Sequence, residues 1–351
     1  MIKRDSKFIV TMLFFFLLLN GLLFFWNNLQ AQEYWHSWGV NHNQNGHINL
    51  PNNLPAIKKD IIVAVIDTGI DPRQPHLKEN LVSMKGKFSQ KNYGKDFSFA
   101  SNTQNEPFDQ HGHGTHIAGI IKSVFPQVKM LTLKYYNPNA SGKQNLNSTL
   151  LALQYAVDAN VDIINYSGGG PEASLEEMRI LKQAEAKGIL IVVASGNEQQ
   201  GLDQGGQAYY PASYKMPNII TVTTHDPQFK MHPTSNWGKQ TVDIAAPGDR
   251  IKSTLPYGRA GFLTGTSQST AFVTGVAALI KARLPQITAK QIKDYIVQSA
   301  IPATALKDKS RSGGRLNASA AWQLANQELQ PTDTKRSVAS DAKIIYRLKG
   351  M

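Results

Sequence analysis

The stretch IIVAVIDTGID, residues 61–71, opens with an unbroken apolar run, mostly β-branched, and then turns polar at Asp67-Thr68-Gly69. So short a run fits a strand buried on both faces, the pattern of a parallel sheet covered by helices. Similar runs recur as VKMLTL (128–133), VDIINY (161–166), ILIVVA (189–194), NIITVT (218–223) and VDIAA (242–246). In open parallel sheets, function gathers at the carboxyl ends of strands. There the chain places Asp67, then Ser167-Gly168-Gly169-Gly170 after VDIINY, and Ser195-Gly196-Asn197 after ILIVVA. A carboxylate, a bare backbone loop and an amide thus recur where a shared crevice is expected.

Helical patterns separate the runs. Leu150, Leu151, Leu153, Ala156 and Val157 offer one apolar face, and Ser174 with Glu177 forms a capping box for a helix that Gly188 can end. Thr288 with Gln291 repeats the box. Strands alternating with helices imply an α/β fold, a mostly parallel sheet with helices on both faces. Between the two ends lie roughly 290 residues, enough for one large domain. The expected division is residues 1–31 as an address, 32–325 as the folded domain, and 326–351 as a polar, basic extension.

The address consists of Lys3, Arg4 and Lys7 ahead of an apolar stretch, residues 8–26, and then polar NNLQAQ. These are the features of a secretory signal peptide, with Ala31 a cleavage point and an uncleaved membrane anchor the alternative. Either reading takes the protein to the cell envelope or outside the cell. The chain has 351 residues and no cysteine, which excludes thiol catalysis, disulfides and cysteine-based zinc sites. Its net charge of +12 is spread along the chain without a dense basic run or a nucleic-acid motif. A basic solvated surface, with no nucleic-acid partner, is the expectation.

Three histidines crowd DQHGHGTH (109–116), at His111, His113 and His116. Zinc would need three or four such ligands and a second shell, and neither HExxH nor a further ligand pair at a strand end is present. Asp67-Thr68-Gly69 also resembles half of an aspartic-peptidase dyad, but no second DTG or DSG supplies the partner carboxylate. The third reading pairs an imidazole with a hydroxyl. GFLTGTSQSTAFVTGVAALI (261–280) sets Ser267 at the start of a long apolar helix running to about Arg283. Alone, Ser267 reads better as a helix cap than as a nucleophile. With Asp67 and His113 it supplies the acid, base and nucleophile that acyl transfer requires.

VAVIDTGID (63–71), GHGTHIAG (112–119), INYSGGG (164–170), VVASGNE (192–198), SNWGKQTVDIAAPG (235–248) and GTSQSTAFVTG (265–275) together resemble the subtilisin-like serine proteases. The resemblance runs from about Trp38 to Ala321 and keeps the family's Asp, His, Ser order. It implies a subtilisin-like domain in which Ser267 is the nucleophile, His113 the general base and then acid, and Asp67 the group that orients the imidazole. Asn197 and the Ser267 backbone N–H would hold the oxyanion. His111 and His116 would then be structural.

The implied substrate is an extended polypeptide bound by strand addition. Ser167, Gly168 and Gly169 would form one rail, and the loop carrying Ser141 and Gly142 the other. Tyr209, ahead of Tyr210-Pro211, would lie at the bottom of the primary side-chain pocket and favour small or medium apolar residues. Gln268 stands where the family usually has Met, and Ala271-Phe272 replace a common Pro-His pair. No cofactor is required. The long calcium-binding insertion of many relatives is missing after HGTH, so structural calcium is expected only at weaker sites. A monomer is expected.

Overall fold

In the computed structural model, the residues described are 37–82, 92–98, 106–205 and 207–328, with a few positions between 12 and 21. The expected address at 1–31 lies outside them apart from those few positions, as does nearly all of the extension at 326–351. Among the described residues, no helix is long and apolar enough to cross a membrane.

Six apolar runs become six strands within a residue or two of their expected bounds. They are β1 (Ile62–Asp67), β3 (Lys129–Lys134), β4 (Ile163–Tyr166), β5 (Leu190–Ala194), β6 (Ile219–His225) and β7 (Ile244–Pro247). With β2 (Gly94–Asp96), β10 (Ile301–Pro302) and β11 (Gly314–Arg315) they build one sheet in the order β10-β11-β7-β6-β5-β4-β1-β3-β2. All neighbours are parallel except β10 and β11. Strand β1 pairs with β3 on one side and β4 on the other, so the winding reverses beside it. A parallel sheet opens a crevice at such a reversal, and Asp67 ends β1 there.

Alternation along β1 sends side chains to two cores. Val63 and Val65 pack with α1 (His113–Val124) and α4 (Thr266–Arg283). Ala64 and Ile66 pack with α2 (Gly142–Asp158) and α3 (Leu175–Ala186). Every residue of α4 is buried, so the helix that begins beside Ser267 is rooted in the centre of the molecule. On α2 the apolar face is narrower than expected: Leu153, Ala156 and Val157 are buried, whereas Leu151 is exposed, having rotated off the stripe.

The caps are partly as expected. Thr288 and Gln291 form a complete box for α5 (Ala289–Gln298). Ser174 accepts from Glu177 N at 3.2 Å, while Gly188, in the left-handed region, follows α3. Two boundaries move. Ser141-Gly142 is not a loop: Ser141 caps α2 in a reciprocal box with Gln144, and Gly142 is the first helical residue. The last helix, α6 (Ala318–Glu328), continues past the expected end at residue 325, because Tyr295 Oη donates to Glu328 Oε2 at 2.7 Å and holds its final turn.

A separate two-stranded hairpin, β8 (Ile251–Leu255) and β9 (Arg259–Leu263), covers the start of α1.

Candidate active site

Asp67 ends β1, 3% exposed. Its Oδ1 lies 2.7 Å from His113 Nδ1 and also accepts the Thr68 N–H at 2.7 Å. His113 opens α1. Its helix can approach this closely because Gly114 has no side chain: a Cβ there would sit 2.1 Å from Gly69 O and 3.1 Å from Asp67 Cβ. The bond to Asp67 selects the tautomer with the proton on Nδ1, leaving Nε2 as a base. About a quarter of the His113 side chain is exposed (24%), so that base faces the crevice. Burial opposes protonation of His113, but the charge and hydrogen bond of Asp67, helped by the charge of Asp109, outweigh it and raise the pKa above the ordinary value.

Ser267 lies in the first turn of α4 and is 7% exposed. Its hydroxyl donates to the Ser167 carbonyl at 3.2 Å; among the described residues it makes no hydrogen bond to His113. The sheet nevertheless brings the two together. Tyr166 is the register partner of Ile66, so Ser167 and Asp67 follow on adjacent strand ends, about 4.8 Å apart in a regular sheet. One end holds the imidazole and the other holds the hydroxyl. Catalytic hydrogen bonds commonly tighten only with substrate bound.

Asn197 follows β5 and is exposed. Its Oδ1 accepts from Thr266 N at 3.0 Å and from Thr266 Oγ1 at 3.2 Å. Two donors on the oxygen leave the amide NH2 as the outward end. The backbone N–H of Ser267, in the first turn of its helix, has no intrahelical acceptor. The loop carrying Asn197 is held by buried Asn236, whose Oδ1 accepts Glu198 N and Gln200 N at 3.0 and 2.9 Å. Its Nδ2 donates to Ser195 O at 2.9 Å and to Glu198 Oε2 at 2.6 Å.

The Ser167–Gly170 segment leaves the sheet at β4, with Gly169 exposed. Tyr209 lies against it: a Cβ on Gly169 would fall 2.4 Å from Tyr209 Cε1, and one on Gly196 would fall 3.1 Å from Tyr209 Cδ2. The phenol ring thus fills the gap between the two strand-end loops. Ser141 is less free. Its N–H donates to Gln144 Oε1 at 2.8 Å and its carbonyl accepts from Asn145 N at 3.0 Å, both helix-capping bonds.

The other two histidines separate. His116 is buried, its Nε2 lying 3.0 Å from Ile251 O and 3.3 Å from Gly261 O, so it fastens the β8–β9 hairpin to α1. Burial lowers its pKa to about 4. His111 is exposed and meets His113 edge to face, ring centroids 6.5 Å apart. Among the described residues, no cluster of three or more His, Asp or Glu side chains could hold a metal ion. Asn236 and Asp109 carry roles that the motifs did not assign. The only advance signal for Asp109 was an acid placed just before a helix start.

A buried acid holds an imidazole at one strand end, and the carbonyl at the next strand end holds a serine hydroxyl from α4. A family model described as "Subtilase family" matches residues 58–335, and the chain belongs to that family. The Major intracellular serine protease of Bacillus subtilis (strain 168) is 36% identical over 234 residues, covering 64% of this chain and 69% of that protein. The Intracellular serine protease of Paenibacillus polymyxa is 34% identical over 233 residues, covering 64% and 67%. Subtilisin amylosacchariticus, from Bacillus subtilis subsp. amylosacchariticus, is 32% identical over 250 residues, covering 69% of this chain and 60% of its own length. The protein is a subtilisin-like serine endopeptidase.

Proposed function

We propose that hydrolysis runs through Ser267, His113 and Asp67 with an acyl-enzyme intermediate. The observation that carries this reading is the 2.7 Å contact of His113 Nδ1 with Asp67, made at the strand end next to the one that holds Ser267. His113 Nε2 takes the Ser267 proton as Oγ attacks the peptide carbonyl, and Asp67 stabilises the imidazolium. The Asn197 amide and the Ser267 N–H receive the oxyanion. His113 then protonates the departing amine, and a water repeats the sequence to release the acid.

The substrate is an extended polypeptide laid along Ser167–Gly169, whose exposed glycine lets another backbone approach. Tyr209 makes the pocket beside that rail shallow, suited to small or medium apolar side chains. Gly142 is open to the other side of the substrate, with Ser141 serving chiefly to cap the helix behind it. The basic start and apolar run of residues 1–31 support export, with an uncleaved anchor as the alternative. Incubating unfolded casein with the enzyme and with Ser267→Ala tests the activity. Many fragments from the first and none from the second are expected. Equal digestion by both would remove Ser267 from the mechanism, and a single cut would identify a dedicated processing enzyme.

A further inference from the structure

Asp109 is completely buried, with 0% exposure, and no cation pairs with it among the described residues. A bare buried carboxylate is costly unless several donors surround it. This one has five. Oδ1 accepts the backbone N–H of His111 at 3.0 Å and of Gly112 at 2.7 Å, and the Thr68 hydroxyl at 2.9 Å. Oδ2 accepts the Thr115 N–H at 2.9 Å and the Thr115 hydroxyl at 2.6 Å. The N-cap residue of α1, Gly112, has no side chain to cap the helix, and Asp109 does so from three residues upstream.

Capping alone would not require Thr68. That hydroxyl donates to Asp109 and at the same time accepts the Gly114 N–H at 2.9 Å. Thr68 directly follows Asp67, and Gly114 directly follows His113. The path Asp109–Thr68–Gly114 therefore locks the turn after the acid to the helix turn after the base, running beside the Asp67–His113 contact. The Thr115 hydroxyl extends the same link by accepting the Asp71 N–H at 3.1 Å, farther along the turn from β1.

We propose that Asp109 is a positioning residue for hydrolysis: through Thr68 and the first turn of α1 it sets the separation and tilt of Asp67 and His113. This rests on the assignment of His113 as the base. The charge of Asp109 also reaches His113, adding to that of Asp67 in favouring its protonated form; His116, one turn along α1, is lowered to about 4 and is neutral where His113 titrates. His111 is the other titratable ring beside His113. A helix cap with no part in positioning would affect stability, and through its charge the titration of His113, but would leave kcat on the pH plateau where it was.

The test compares Asp109→Asn, Thr68→Val and Thr68→Ser with the parent enzyme, measuring kcat and KM on a peptide amide across pH, and thermal midpoint. Asp109→Asn is expected to lower kcat about tenfold or more with KM little changed, and to move the acid limb of kcat down by roughly half a pH unit through the lost charge. Thr68→Val should lower kcat, and Thr68→Ser should restore the rate. Should Asp109→Asn fail to fold, the threonine pair decides alone. A folded Thr68→Val with parental kcat, or a folded Asp109→Asn with parental kcat on the pH plateau, overturns the proposal. Ser267→Ala and Asp67→Asn run alongside: full activity in either means instead that the underlying mechanism is wrong.

Discussion

Thr266 turns both of its donors toward Asn197 Oδ1, the backbone N–H at 3.0 Å and the hydroxyl at 3.2 Å. A side-chain amide held by its oxygen turns its NH2 away from those donors, and the proposed mechanism sets that NH2 at the oxyanion. Pre-orientation of this kind lets a donor act on a developing charge without reorganising. Asn197→Leu is therefore expected to lower kcat by about 10²–10³ with KM nearly unchanged, the scale known for such a donor in subtilisin. A rise in KM at constant kcat would mean that Asn197 binds ground-state substrate instead.

In the proposed reading, Tyr209 governs which side chain precedes the cut. Its ring fills the space between Gly169 and Gly196, so Tyr209→Gly should open a deeper pocket. Selectivity for Phe over Ala at that position, read as the ratio of kcat/KM values, is expected to rise about tenfold or more. A parent enzyme that already prefers Phe or Tyr contradicts the shallow pocket.

Buried histidines set the acid stability. Burial lowers His116 and His225 to about 4, against 6.5 for a free imidazole. Between these values the unfolded chain binds protons that the native chain refuses. Stability from both is therefore complete above pH 6.5 and lost as pH falls toward 4, by roughly 3 kcal/mol for each residue. His113 has the opposite sign: its raised pKa contributes stability at low pH that disappears as pH rises through the folded value. Thermal midpoints of Ser267→Ala, which avoids self-digestion, should fall between pH 7 and pH 4.5. The added change His225→Gln should flatten that fall; an unaltered slope counts against the assignment.

Gln268 occupies the position after the nucleophile and is almost fully buried. An amide there cannot be oxidised, unlike the thioether that the family usually carries. Activity is expected to survive peroxide treatment that converts exposed methionines to sulfoxides, as followed by mass. Rapid inactivation before any sulfoxide forms elsewhere would show another oxidisable group at the site.

The six central strands were legible because a strand buried on both faces has to be apolar at every position, as in β1 and β5. The hairpin β8–β9 was not, since IKSTL buries Ser253 and Thr254 rather than an apolar run, and RAGFL is part-exposed. Asp67, His113, Ser267 and Asn197 stand in motifs at element ends, so their positions could be read directly. Asp109 could not be given a role in advance: its donors are Thr68, the turn at His111 and Gly112, and Thr115 in the first turn of α1, and only the folded chain brings Thr68 to the others. Ser141 went astray for the opposite reason. Its bond to Gln144 is local, a capping box that the surrounding polar residues disguised as a loop.

Reaction of the purified protein with a fluorophosphonate, followed by peptide mass mapping, tests the central assignment most directly, because only a hydroxyl activated by a neighbouring base reacts quickly. A single adduct on Ser267 is expected, absent from Ser267→Ala and strongly slowed in His113→Ala. An adduct on some other residue, or no adduct on a folded protein that still cleaves peptides, would contradict it.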